Sequence, residues 1–216
     1  MKSYVVIGLG RFGAELATRL YACGEEVMVI DTDELLIDKI ADRVTRAVAA
    51  DARDADVLKR LGVENFDRAV VAVGSDLAAS ALITMNLKAL NVPYIICKAH
   101  DDTYKDILEK LGADKVIIPE REVADKLALG LTHAGIMEYI ELSQEFGIVE
   151  MQPIKEWVGK TIRELELRTR YGLNVIAVRS NEDTIKIPPD IDSPISEDVV
   201  MVMLGQYDMF ENLKKK

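Results

Sequence analysis

Three glycines near the start of the sequence are the residues whose spacing most clearly indicates chemistry. Gly8, Gly10 and Gly13 fit the pattern Gly-x-Gly-x-x-Gly within VVIGLGRFGAEL, residues 5–16. Between a strand and a helix, the first glycine permits a tight turn, the second lets the backbone approach a pyrophosphate, and the third lets the helix pack on the sheet. The phosphates then face N–H groups at the helix N-terminus. The loop therefore predicts a site for a diphosphate-containing nucleotide.

An acid at the end of the next strand-like run supports the same interpretation. In VMVIDTD, Asp31 follows Gly13 by 18 residues, and a carboxylate there accepts hydrogen bonds from a ribose diol. The same charge would repel a ribose 2′-phosphate, and no arginine follows directly. The two signals together predict adenosine plus diphosphate, and they leave dehydrogenases, nucleotide-dependent enzymes and non-catalytic sensors open.

The two histidines of the chain are the residues to weigh for hydride or proton transfer. His100 follows a strand in CKAHDD, and His133 lies in a helical segment among small residues. A loop or capping role for His100 and a packing role for His133 are the simpler interpretations. The sequence has no Gly-x-Ser-x-Gly elbow, Walker A loop or paired-carboxylate motif. We therefore expect a non-enzymatic nucleotide-binding protein, with a small NAD-dependent oxidoreductase or a Rossmann-type redox sensor as alternatives.

The elements that position these residues are short apolar runs alternating with helical patterns. Continuous apolar runs are typical of parallel strands covered on both faces, and βα succession predicts a doubly wound sheet. The expected strands are residues 4–7, 27–30, 47–50, 69–73, 94–97 and 116–118. The sequence therefore predicts a Rossmann-type α/β domain over residues 1–134, which ends in a helix from 123 to about 134.

Polar caps and glycines predict where the helices of this domain begin and end. The expected caps are Asp33, Asp54, Ser75 and Asp102, and the expected ends are at Gly24, Gly62, Gly112 and Pro93.

The pattern changes after about residue 130, and residues 135–216 predict a small α+β domain. MEYIELSQEFGIVEMQPI predicts strands with a turn at residues 146–147. One helix is expected from residues 159–160 to Gly172, followed by strands in LNVIAV, TIKIP and VVMVML and a final helix over 207–216. A module of this size often needs a partner to complete its core.

Composition narrows the class of protein further. The 216 residues are 49% hydrophobic and carry a net charge of −10, so a nucleic-acid partner is not expected. Cys23 and Cys97 lie in apolar segments and are expected to be core residues of a reducing compartment. Met1 and Lys2 lead directly into a strand-like run, and no apolar stretch reaches ~18 residues. We therefore expect a cytoplasmic protein.

Several segments together resemble the RCK family (regulator of conductance of K⁺, also called KTN). They are VVIGLGRFG, VMVID, VAADARDADVLKRLGVENFDRAVVAVGSD and LGADKVIIPEREVADKLA, followed by VGKTIRELELRTRYGLNVIAV and IPPDIDSPISEDVVMVMLG. The family comprises cytosolic nucleotide-binding subunits of Trk- and Ktr-type potassium transporters. The resemblance covers nearly the whole chain. Its single pair of domains is most similar to the Ktr regulatory subunit, whereas Trk counterparts usually carry the pair twice.

The resemblance implies a first domain that switches between ATP-bound and ADP- or NAD(H)-bound conformations. Arg11 matches an arginine that faces the nucleotide phosphates, although a solvated first-turn role is the simpler alternative. Asp51 and Ala52 match the stretch along the adenine. The full implied set is Gly8, Leu9, Gly10, Arg11, Phe12, Gly13, Asp31, Thr32, Asp51, Ala52, Val73, Gly74 and Lys98.

The resemblance also implies two further ligands. Glu120 matches an acid associated with a cation, Mg²⁺ or another, near the nucleotide sites of a dimer, and an acid favoured by a helix dipole is the alternative. Some Ktr subunits bind cyclic di-AMP where two C-terminal subdomains meet. The matching segment here contains Ile162, Arg168, Asn174, Ile176 and Pro188, of which the apolar members are more simply core residues.

The implied assembly is a homodimer that forms an octameric ring. The implied partner is a multi-span membrane potassium transporter, which would hold the ring at the inner face of the cell membrane.

Overall fold

The computed structural model of the protein describes residues 1–74, 76–132, 136–143, 145–180 and 184–213. The chain divides into two units, Met1–Pro119 and Glu120–Lys216. The boundary lies at the start of a helix that the sequence analysis assigned to the first domain. The proposed domain limits, 1–134 and 135–216, stay predictions.

The six apolar runs of the first unit form one parallel sheet. The strands are β1 (Ser3–Ile7), β2 (Glu26–Asp31), β3 (Arg46–Ala49), β4 (Arg68–Val71), β5 (Ile95–Lys98) and β6 (Lys115–Ile117). Their order is β3-β2-β1-β4-β5-β6, and each neighbouring pair is parallel. This order confirms the Rossmann-type doubly wound fold. The strand order runs from β1 to β3 on one side of the sheet and from β4 to β6 on the other, so the order reverses between β1 and β4. The carboxyl ends of these two strands border the crevice where such sheets bind ligands.

Five helices accompany these strands, and aspartates cap four of them. They are α1 (Arg11–Ala22), α2 (Glu34–Ile40), α3 (Ala55–Arg60), α4 (Leu77–Ala89) and α5 (Asp102–Lys110). The predicted caps Asp33 and Asp54 are confirmed. Asp76 and Asp101 accept the hydrogen bonds from the first turns of α4 and α5. The predicted caps of these two helices, Ser75 and Asp102, are therefore one residue early and one residue late. Ser75 lies outside the described residues.

The helices cover both faces of the sheet. Val5 and Ile7 belong to one core cluster, which includes Leu58, Leu87 and Leu108 from α3, α4 and α5. The intervening Val6 belongs to a second cluster, with residues of α1 and α2. Successive residues of a strand point to opposite faces, so this division follows directly from the apolar character of the whole strand.

The second unit contains an antiparallel sheet and short helices, which confirms the predicted α+β class. Its elements are α6 (Pro119–Thr132, beginning at the boundary), β7 (Ile136–Glu141), β8 (Phe146–Met151), α7 (Ile162–Leu165), α8 (Leu167–Tyr171), β9 (Asn174–Arg179), β10 (Ile185–Lys186), β11 (Val200–Gln206) and α9 (Tyr207–Asn212). The strand order is β10-β9-β11-β8-β7. Phe146 and Gly147 open β8 and do not form the turn before it.

The single helix expected between Lys160 and Gly172 is two short helices. Thr161 and Glu164 form a capping box at α7, and Glu166 then adopts a left-handed conformation with φ 47°. Leu165 and Leu167 are both buried in the core of the unit. Residues two apart in one continuous helix point about 200° away from each other. The turn at Glu166 therefore lets both leucines reach the same core.

One of the two cysteines is not a core residue. Cys97 is buried in β5, as expected, whereas Cys23 is exposed. Cys23 is the C-cap of α1, beyond the buried positions Gly13 and Ala17, so it lies past the end of the packed stripe. Within the described ranges, no helix has both the length and the apolar character required to cross a bilayer.

Candidate functional site

The loop between β1 and α1 leaves a helix N-terminus without a side-chain cap. Of the helices α1 to α5, α1 is the one that begins without a side-chain cap hydrogen bond; its N-cap is Gly10. The first N–H groups of a helix lack intrahelical partners and carry partial positive charge. The start of α1 is thus suited to an anion.

The three glycines of the loop have different surroundings. Gly8 has φ +95°, and a Cβ at Gly13 would lie 1.9 Å from the carbonyl oxygen of Gly8. Gly13 is therefore needed for α1 to approach the loop. A Cβ at Gly10 would meet nothing within 4 Å. Gly10 thus faces open space, as expected of the residue that a pyrophosphate would approach.

Asp31 at the end of β2 is fixed by backbone donors on both sides. One carboxylate oxygen accepts a hydrogen bond from the N–H of Leu9 at 2.5 Å, and the other accepts one from the N–H of Asp33 at 2.9 Å. Each carboxylate oxygen has a second lone pair. The carboxylate is therefore held beside the glycine loop with the capacity to accept further bonds from ribose hydroxyls.

These residues border a cleft of about 350 Å³, within the range of small-molecule sites. Of the predicted residues, Gly8, Gly10, Asp31, Thr32, Asp51, Ala52, Val73 and Gly74 line it. The lining also includes Ile7, Ile30, Ala50, Arg53, Ala72, Asp76, Ala79 and Ile83, which the sequence analysis did not assign to the site. The carboxyl ends of four strands, β1 to β4, thus contribute to one cleft.

Arg53 and Asp76 are the charged residues of this cleft that the sequence patterns did not assign to the site, and Arg53 forms the closer contact with a predicted site residue. Its Nε donates to Asp51 Oδ1 at 2.9 Å, and its Nη2 donates to Asp51 Oδ2 at 2.7 Å. This side-chain hydrogen bonding holds the pKa of the Asp51 carboxyl below its ordinary value. A basic residue soon after the expected Asp51–Ala52 stretch was the available signal.

The remaining predicted residues of the first unit flank the cleft. Leu9 contributes its N–H to Asp31, and Arg11 is exposed in the first turn of α1. The ammonium of Lys98 lies 5.8 Å from the centre of the Phe12 ring, and the Lys98 chain passes beside Gly74. This places one lysine against both the glycine-loop helix and the end of β4.

His100 lies on an exposed loop next to the α5 cap. Its Nδ1 is 3.8 Å from an oxygen of Asp101, and 77% of its side chain is exposed. This geometry favours the loop role over a catalytic one. His133 lies outside the described residues.

The predicted residues of the second unit occupy separate elements. Glu120 lies in the first turn of α6. Ile162 packs against the core of the unit, while Ile176 lies in β9 between Val175 and the buried Ala177, where the pairing of β9 with β11 shifts register. Arg168, Asn174 and Pro188 are exposed. In the described part of the chain, no cluster of three or more acidic, His or Cys side chains suits a metal ion. Cation and cyclic di-AMP binding stay predictions.

The chain matches known family models in both of its units. Residues 4–119 match the TrkA-N domain, and residues 148–216 match the TrkA-C domain. The chain belongs to the family defined by these two domains, the RCK family indicated by its sequence.

Two curated relatives from Bacillus subtilis (strain 168) are similar over their full length. Ktr system potassium uptake protein C is 35% identical over 215 residues, covering 100% of this chain and 97% of the relative. Ktr system potassium uptake protein A is 36% identical over 213 residues, covering 98% and 96%. Among solved structures, the RCK domain of GsuK has a TM-score of 0.68 at 20% identity, covering 99% of this chain and 47% of that one. At this identity the likeness concerns the fold.

Proposed function

We propose that this protein is a nucleotide-binding regulatory subunit of a potassium uptake transporter. The observation that carries the proposal is the open cleft at the uncapped start of α1, beside a fixed Asp31. The two Ktr system potassium uptake proteins, similar over their full length, support the transporter as the partner. The protein would act at the inner face of the membrane through that partner.

The proposed ligand is an adenine nucleotide, ATP, ADP or NAD(H). Its diphosphate would face the N–H groups at the start of α1, because the space at Gly10 is open to it. Asp31 would accept hydrogen bonds from the ribose, and Asp51 and Ala52 would lie along the base. GsuK, which shares the fold, has been solved bound to NAD and bound to ADP. Both ligands contain the adenosine and diphosphate groups that these positions would hold.

The proposed response is a shift between conformations rather than a reaction. A ligand changes the balance of two conformations only by the difference in its affinity for them. ATP and ADP differ at the terminal phosphate, beyond the groups that the glycine loop and Asp31 would hold. Arg11, exposed in the first turn of α1, is the residue we assign to that phosphate.

Exposed apolar side chains support the proposed homodimer and ring. On α6, Val123, Leu127 and Leu131 recur every four residues and are 65%, 59% and 77% exposed. On α4, Leu82 and Met85 are also exposed. Apolar residues at helical spacing on a surface are typical of an interface between chains. Glu120 near α6 would then bring its carboxylate, and any associated Mg²⁺, to such an interface.

Calorimetric titration and potassium uptake test the proposal. The protein is titrated with ATP, ADP, NAD⁺, NADH and cyclic di-AMP, and each nucleotide is assayed for turnover. We expect binding of ATP and ADP with neither consumed. The protein is then co-expressed with a Ktr-type membrane subunit in cells that lack potassium uptake, with Gly10→Ala as the matched variant. Exclusive NADH binding with oxidation of NADH would support the oxidoreductase instead, and NADH binding without turnover would support the redox sensor.

A further inference from the structure

Arg53 lines the cleft together with charged and apolar residues. The apolar members include Ala52, Ala79 and Ile83. The carbonyl of Arg53 accepts a hydrogen bond from Asn86 Nδ2 at 2.9 Å, which ties the segment after β3 to α4, the helix that carries Ala79 and Ile83. An apolar lining suits a planar base better than a phosphate. These contacts favour a place for Arg53 beside the base.

The charge of Arg53 is already balanced by neighbouring acids. Its guanidinium pairs with both oxygens of Asp51, and Asp76 lines the same cleft. Two carboxylates against one guanidinium leave net negative charge at this end, which repels a phosphate. The bidentate pair uses the edge of the guanidinium and leaves its flat faces available.

We infer that Arg53 is a base-contacting residue, whose guanidinium stacks on the adenine ring while Asp51 holds its edge. The inference rests on the proposed nucleotide-binding function. Arginine stacks on flat π-systems by combining dispersion with cation–π attraction. The side chain is about half exposed in the pair, so surface remains for a base to cover, and a guanidinium is more weakly hydrated than an ammonium. Asp51 acts here as a positioning residue, because it fixes the plane of the guanidinium.

Calorimetry can show whether the contribution of Arg53 to ligand affinity requires the base of the ligand and the planar guanidinium of the side chain. Calorimetry compares wild type, Arg53→Ala and Arg53→Lys with ADP, with AMP and with ribose 5-phosphate, which lacks the base of AMP. Lysine keeps the positive charge and loses the plane. Arg19→Ala is the matched control, because Arg19 is an exposed arginine that pairs with Glu15 at 2.8 Å on α1 and does not line the cleft.

We expect both Arg53 variants to lose about fivefold to thirtyfold in affinity for ADP and AMP, with ribose 5-phosphate binding and the Arg19 control unchanged. Equal losses for AMP and ribose 5-phosphate would show a phosphate or ribose contact and overturn the inference. Wild-type affinity in Arg53→Lys, or in Arg53→Ala, would also overturn it. A wild-type protein that binds no adenine nucleotide would overturn the proposed function and the inference with it.

Discussion

Two glycines of the loop should separate folding from binding when each is replaced by alanine. At Gly13 the added Cβ would lie 1.9 Å from the carbonyl oxygen of Gly8, whereas non-bonded atoms sit about 3.5 Å apart. Relieving such an overlap costs about 1–3 kcal/mol or more, and the better helix propensity of alanine offsets about 1 kcal/mol. We expect Gly13→Ala to lower the free energy of unfolding by about 2 kcal/mol, or the Tm by about 4–8 °C.

At Gly10 the same substitution should leave the fold nearly unchanged. Its φ of −60° and ψ of 179° suit alanine, and no atom lies within 4 Å of the new Cβ. Alanine stabilises the protein by restricting the unfolded chain and destabilises it by being a poorer N-cap than glycine. The two effects nearly cancel, so the free energy of unfolding changes by less than about 1 kcal/mol. The Cβ would instead overlap the pyrophosphate. Steric overlap that costs about 1–3 kcal/mol lowers nucleotide affinity about fivefold to 150-fold.

Thermal unfolding by circular dichroism and calorimetric titration with ADP measure the two effects on the same samples. Gly24→Ala is the control, because Gly24 has φ +84° with nothing near its Cβ, and it ends α1 at the side away from the loop. It should lose stability and keep its affinity. A Gly10→Ala protein that binds ADP as tightly as wild type would refute the proposed path of the pyrophosphate. A Gly13→Ala protein with the wild-type Tm would refute the packing argument.

Three further predictions concern single side chains. Arg11→Ala should weaken ATP binding more than ADP binding, and an unchanged affinity ratio in calorimetry would contradict its assignment to the terminal phosphate. Arg53 lowers the pKa of Asp51. The stabilisation from this pair should therefore be present above the ordinary aspartate pKa and be lost as pH falls through the lowered pKa. In an NMR titration, Arg53→Ala should show a higher pKa of Asp51 than wild type. Burial raises the pKa of the Cys97 thiol to about 11. At pH 8 the native protein should therefore react rapidly with Ellman's reagent only at the exposed Cys23. Cys23→Ser should abolish this rapid reaction.

The parts of the site that could be predicted from the sequence are those encoded by neighbouring residues. The glycine loop and Asp31 act within one β1-α1-β2 unit, so their spacing alone indicates their roles. Arg53 follows β3 and Asp76 follows β4, and both line the cleft, where Asn86 on α4 donates to the Arg53 carbonyl. Their meeting depends on the order of the strands in the sheet, so the position of Arg53 just after Asp51 and Ala52 was the one local signal for either residue.

The breaks and ends of helices were harder to predict for a related reason. The sequence between Thr161 and Gly172 has helix-forming residues throughout. The chain nevertheless breaks at Glu166, because Leu165 and Leu167 both enter the same core. Tertiary packing there outweighs local propensity, which differs by less than about 1 kcal/mol between most residues.

The arrangement of the cleft also constrains how a nucleotide could act on the protein. A ligand across it would contact loops that follow β1, β2, β3 and β4, so its binding energy would fix four separate loops relative to one another. Contacts to the base and ribose are common to ATP, ADP and NAD(H), and they set affinity without distinguishing these ligands. Groups that are equal in two ligands contribute nothing to the difference between their effects. Any switch must therefore arise beyond the diphosphate, at the start of α1, whereas Arg53 adds affinity through the base that these nucleotides share. Changes at Arg11 should therefore reduce the preference for ATP and the switching that depends on it while ADP affinity is retained. Changes at Arg53 should weaken ATP and ADP equally and leave their affinity ratio unchanged.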